Sequence, residues 1–152
     1  HLDSVTYLEE YYQMLFVAIK QGDIEAVGAL TKQIGIVDNV TIGMQTPVVY
    51  AITNHELEMV SFMLRLGYNP NQRDAAKNTP LHIAVKENRI DYVTELLKYG
   101  ANPSIPDSEL KLPVTVALEQ RNFKLARLLQ RAGAEYGQVT KNFNSATDAY
   151  LK

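Results

Sequence analysis

Asn78, Thr79, Pro80, Leu81, His82, Ile83, Ala84 and Val85, with Leu96, Leu97, Lys98, Tyr99, Gly100, Ala101 and Asn102 further on, decide how this chain folds. Thr79 is a good N-cap, and Pro80 falls at the first helical position, where its missing N–H costs nothing. The helix so begun is short, ending near Asn88, a residue that tolerates positive φ. A second helix is expected from about Ile90 to Tyr99, stopped by Gly100 in the left-handed cap position. The segment Asp74 to Pro106 therefore reads as two helices and a turn.

The same unit recurs. Pro47, Pro80 and Pro113 stand 33 apart, as do Ala51, Ala84 and Ala117, and Gly67, Gly100 and Gly133. A fixed period of this size marks a stacked array in which no unit buries its apolar face alone. Leu81, Ile83, Ala84 and Val85, then Ile90, Tyr92, Val93, Leu96 and Leu97, form faces at helical spacing. Their counterparts one period earlier are Val48, Tyr50, Ala51, Ile52, Leu57, Met59, Val60, Met63 and Leu64. Acids in the first turn of the second helix (Glu25, Glu58, Asp91) and bases in the last (Lys32, Arg65, Lys98, Arg131) suit the macrodipole, at about 0.3–1 kcal/mol each. The earliest copy is degenerate: Met14 takes the proline place, and Gly35 arrives one residue late. Upstream, Thr6 and Glu9 fit a capping box, so Tyr7 to Gln21 reads as one long helix. Tyr7 and Tyr11 are expected to cover the first layer, with Tyr12 as an exposed alternative anchor. Gly133 is expected to stop its helix as the other glycines do.

Composition narrows the function classes. The chain has 152 residues, enough to bury about 70% of the surface its unfolded form exposes. Fifteen basic against 17 acidic side chains give a net charge of -2, which lends no support to nucleic-acid binding. Cysteine is absent, so there is no disulfide framework or cysteine zinc site, in keeping with a reducing compartment. The longest apolar run, Met14 to Ile19, is far short of the ~20 residues of a membrane helix. The chain opens on His1 rather than Met, which points to a processed product or a segment of a longer protein.

The string from Thr79 to Ala84, followed by Leu96 to Asn102, resembles the ankyrin repeat, whose 33-residue unit is a β-turn plus two helices. The resemblance covers about Tyr12 to Glu135. It implies an all-α solenoid of helix-turn-helix units with projecting β-hairpin loops, or fingers. The implied organisation is an N-terminal helical extension over 1–11, repeats at about 12–40, 41–73, 74–106 and 107–136, and a polar tail over 137–152. For the tail, a linker, a frayed end and a helix from Ser145 all fit the composition.

Departures from the pattern matter. The glycine between the helices survives only as Gly22, being His55, Asn88 and Arg121 elsewhere; Arg121 is a poor positive-φ residue, so that turn is expected to shift to Asn122. Leu112 and Thr115 replace the threonine and histidine of the motif in the last repeat. Pro70 and Pro103 should weaken strand character in two fingers, since each removes an amide donor. The column of Leu64 and Leu97 is Thr31 in the first repeat and Gln130 in the last, as expected of end units that expose that face.

No catalytic, cofactor or metal site is expected. His82 has no second ligand at metal spacing, and the resemblance implies a backbone-bonding role for it at a repeat junction. No GxSxG, Walker-type, HExxH or calcium loop occurs. Asn71 is the asparagine usual in a finger, a position that can be hydroxylated in the family; here a structural hydrogen bond is expected of it. Family partners bind finger tips and the concave ends of the first helices. These positions here are Ile42, Gln45, Thr53, Asn54, Arg73, Ala75, Ala76, Asn78, Lys86, Glu87, Ser108, Glu109, Lys111, Glu119 and Gln120. The implied function is a monomeric cytoplasmic scaffold that binds another protein, with no nucleic acid and no membrane insertion. The alternative is a targeting or regulatory arm of a larger enzyme, channel or secreted effector, which would then act in a host cytosol.

Overall fold

A computed structural model describes residues 4–151, with side chains over 6–137. The described residues form eight helices. They are α1 (Ser4–Gln21), α2 (Ile24–Ile34), α3 (Pro47–Thr53), α4 (Leu57–Leu66), α5 (Pro80–Lys86), α6 (Ile90–Lys98), α7 (Pro113–Glu119) and α8 (Phe123–Leu151). Each odd helix packs on the even helix that follows it. The odd helices stack in one row, α1 on α3 on α5 on α7, and α2, α4 and α6 stack in a second. The arrangement is an all-α solenoid of helix pairs. The fingers contain no strand among the described residues, only an isolated antiparallel bridge between Ile42 and Gln45.

The repeating residues hold the places their chemistry requires. Pro47, Pro80 and Pro113 open α3, α5 and α7. Ala51, Ala84 and Ala117 are fully buried where a larger side chain would part the layers. One core runs through the stack from Leu15 and Ile19 through Ile52, Met63, Leu81, Tyr92 and Leu96 to Leu125 and Leu129. Ile83 and Leu97 are only partly covered, and Ile90 is exposed. Gly67 and Gly100 take positive φ after α4 and α6, and Gly35 does so after α2, its N–H reaching Thr31 O at 2.7 Å.

Several expectations need correction. Thr6 lies inside α1, which already includes Ser4, so it does not cap that helix. Tyr11 and Tyr12 both pack on the core, while Tyr7 is exposed and meets Tyr11 ring to ring, with a 2.7 Å hydroxyl contact. The α7–α8 turn does not shift: Arg121 itself adopts φ 59, like His55 and Asn88. Asn122 is needed elsewhere, since its Oδ1 accepts Leu125 N at 3.1 Å and caps α8. Thr31 is not an exposed polar end residue. It is buried, and its hydroxyl bonds Tyr68 OH at 2.9 Å. Gln130, at the other end, is exposed as expected.

Gly133 does not stop its helix. It lies within α8, which continues through the expected boundary at 136/137 to Leu151, so Arg131 is mid-helix rather than in a last turn. The tail backbone is thus helical well before Ser145. After Gly100 come Asn102 and Pro103, and proline cannot continue a helix. After Gly133 come Ala134, Glu135 and Tyr136, which can.

Candidate functional site

Three fingers project between the helix pairs, at 41–45, 74–78 and 107–111, and each is closed by its own backbone. In the second, Lys77 N donates to Asp74 O and Asp74 N to Asn78 O; in the third, Leu110 N donates to Asp107 O and Asp107 N to Lys111 O, all within 2.8–3.0 Å. Asp74 Oδ1 also accepts Ala76 N and Asn78 N, and Asp107 Oδ1 accepts Glu109 N and Lys111 N, each at 2.9 Å. Burial alone would raise the Asp107 carboxyl, but these amide bonds outweigh it and hold the group below its usual range. The first finger has Thr41 in the aspartate place. It closes instead through reciprocal 2.9 Å bonds between Ile42 and Gln45, with Gly43 and Met44 both at positive φ, as a type I′ turn demands.

The fingers are tied to one another and to the helices. Ala75 N reaches Met44 O at 2.9 Å, and Arg73 Nη2 reaches Pro106 O at 2.6 Å. Asn71 Oδ1 accepts Asn102 N at 2.6 Å, the structural bond expected of it. His82 joins the second and third units. Its Nδ1 accepts Thr79 N at 3.2 Å and lies 2.6 Å from Thr79 Oγ1, while its Nε2 stands 2.8 Å from Lys111 O. A backbone N–H only donates and a carbonyl only accepts, so the ring is the neutral Nε2–H tautomer. Burial pushes its pKa down, in agreement. In the first finger's unit Val49 stands in the His82 column, and the buried Thr46 hydroxyl has no partner among the described residues.

One element of this face was not anticipated from the sequence. A side chain at the base of each finger bonds a residue in the last turn of the helix that follows, eight positions on. Thr53 Oγ1 donates to Gln45 Oε1 at 2.9 Å, Lys86 Nζ to Asn78 Oδ1 at 2.9 Å, and Lys111 Nζ pairs with Glu119 at 3.0 Å and Glu109 at 3.4 Å. The positions recur every 33 residues while the chemistry changes at each step. The sequence signal lay in pairing the two columns, since each residue alone looks like an ordinary polar surface residue. Glu119 and then Glu109 raise the Lys111 pKa.

None of the fifteen positions expected at the interface is buried. Gln45, Thr53, Asn78, Lys86, Glu109, Lys111 and Glu119 come together in the finger-to-helix bonds. Arg73 is held by Pro106, Asn54 bonds Tyr50 O at 2.7 Å, and Gln120 Nε2 lies 3.4 Å from Lys86 O. Ile42, Ala75, Ala76, Glu87 and Ser108 face outward with no side-chain hydrogen bond to a described residue. Ile42 also lines an apolar groove with Tyr12, Phe16, Val17 and Val40, between α1 and the first finger.

Two exposed apolar residues at the finger tips lie outside the positions expected from the sequence. Met44 is 57% exposed at φ 69, and Leu110 is 83% exposed at φ 63. They share a column with Lys77, also at positive φ. A bulky side chain in the left-handed region costs about 1–2 kcal/mol, and an exposed one recovers none of it by packing.

Among the described residues no helix is long and apolar enough to cross a membrane, and no cluster of His, Cys, Asp or Glu could hold a metal ion. A family model described as Ankyrin repeats (3 copies) matches residues 14–107 and, in a second placement, 66–140. Together these placements run from within α1 to within α8 and so reach all four helix pairs. No curated protein matches the chain.

Proposed function

The chain belongs to the ankyrin-repeat family, whose repeats bind other proteins, and from that premise we propose that it is a monomeric, non-catalytic cytoplasmic scaffold recognising one protein through its finger tips and finger-side face. The observation that carries this reading is the pair Met44 and Leu110, large apolar side chains held in strained backbone at the tips and left exposed. The finger-to-helix bonds fix the floor beneath them, so a partner meets a surface already ordered and little entropy is lost on binding. The partner suited to it offers apolar pockets for the tips and polar groups for the floor.

Affinity capture with the unaltered chain and with Met44→Ser/Leu110→Ser, both checked for an unchanged melting temperature, tests the reading. Proteins retained by the first and lost by the second support it. A partner retained equally by both removes the tips from the interface.

A further inference from the structure

The outer side of the last helix pair departs from its columns. The first-turn acids Glu25, Glu58 and Asp91 are replaced in α8 by Lys124. Arg89 and Asp91, which pair at 2.7 Å across the start of α6, become Asn122 and Lys124. A cation in a first turn faces the positive end of the helix macrodipole, so Lys124 stands where its charge is unfavourable. The neighbouring column is Ile24, Leu57, Ile90 and Phe123; the last is the largest of the four and 62% exposed.

Helix α8 touches α6 less than α4 does. Beside it opens a groove of about 440 Å³, formed by Ile90, Phe123 and Leu128 together with Lys124, Arg127 and Arg131. None of these cations makes a hydrogen bond or ion pair with a described residue. Charge is also divided along the chain: residues 1–120 carry -6 and residues 121–152 carry +4.

We propose that this groove is a second docking site, distinct from the fingers, for an acidic segment of a partner protein that carries an apolar side chain between its carboxylates. The apolar floor supplies a contact that water does not, and the unpaired cations supply the charge complementarity. Lys124 to Arg131 spans about 10 Å along the helix, at ~1.5 Å per residue. That is about three residue steps of extended chain, so carboxylates two or three positions apart, with an apolar residue between them, come within side-chain reach of cations at both ends. A nucleic acid could stack a base on Phe123 but would meet the negative charge of the rest of the chain, which repels a polyanion and not a short acidic segment confined to the groove.

Fluorescence anisotropy with a short labelled peptide alternating glutamate and leucine tests this. The comparison probes are its glutamine analogue, an oligouridylate and phosphatidylserine vesicles. Saturable peptide binding that weakens with salt is expected. It should fall about tenfold or more in Lys124→Glu/Arg127→Glu and severalfold in Phe123→Ser. It should survive Lys124→Arg/Arg127→Lys and Met44→Ser/Leu110→Ser. No binding, equal binding of the glutamine peptide, no loss in the charge-reversed variant, or tighter binding of the oligouridylate or the vesicles would each overturn the proposal. So would loss of binding in the finger-tip variant.

Discussion

The third helix pair, α5 with α6, and the fourth, α7 with α8, carry the same columns of proline, alanine and glycine and put them to different use. In the third, Thr79 and His82 form a capping box that also reaches across to Lys111, so the cap of one helix is the joint between two units. In the fourth, Leu112 and Thr115 hold those columns and α7 has no side-chain cap bond. Gly100 ends α6, whereas Gly133 is passed over by α8. A column therefore states what a residue can do, and its neighbours decide whether it does it.

The largest effect should come from breaking the joint. His82→Ala takes the side-chain acceptor from buried Thr79 N, removes one of the two donors to Lys111 O and leaves a cavity at a fully buried position, at about 2–4 kcal/mol for the combined loss. Thr115→Ala, in the same column of the fourth pair, should stay within about 0.5 kcal/mol. Urea unfolding of the two variants measures the contrast, and equal losses would remove His82 from the joint.

A second contrast sets the two ends of the stack against each other. Tyr68→Phe strips the buried Thr31 hydroxyl of its 2.9 Å partner and should cost about 1–2 kcal/mol. Gln130→Ala, on the exposed column at the far end, should be close to neutral in the same assay.

Acid sharpens the account of His82. Its folded pKa lies below the unfolded value of about 6.5, so the unfolded chain takes up a proton first and stability falls as pH drops below about 6.5. Asp107, also depressed, adds a later loss as pH falls below about 4. Melting temperatures across this range should show the earlier loss in the unaltered chain and little of it in His82→Gln. An unchanged profile in that variant would mean another group sets the acid response.

Much of the scaffold was legible in the sequence because its residues act locally. Proline at a first helical position and a threonine cap work within one turn, and their consequences can be read from a few neighbours. What was missed depended on partners remote in sequence. Thr31 looked like a polar end residue because Tyr68 lies 37 positions away. Arg121 was judged by its own φ preference, while the competing demand on Asn122 to cap α8 settled the turn. The finger-to-helix bonds required two columns to be read together. Leu110 and Phe123 were passed over because an exposed apolar residue has no sequence signature apart from the place the fold gives it.

The claim that context decides a column's role is tested most directly by measuring Gly100→Ala beside Gly133→Ala in one unfolding series. At Gly100, φ is 89 and no atom stands within 4 Å of an added methyl, so the cost is backbone strain of about 1–2 kcal/mol. At Gly133 the nearest atom to that methyl is Pro103 Cγ at 3.8 Å, ordinary contact inside a helix. Alanine there should stabilise by about 0.5–1 kcal/mol. Opposite signs are the predicted result, and destabilisation of similar size at both positions would contradict it.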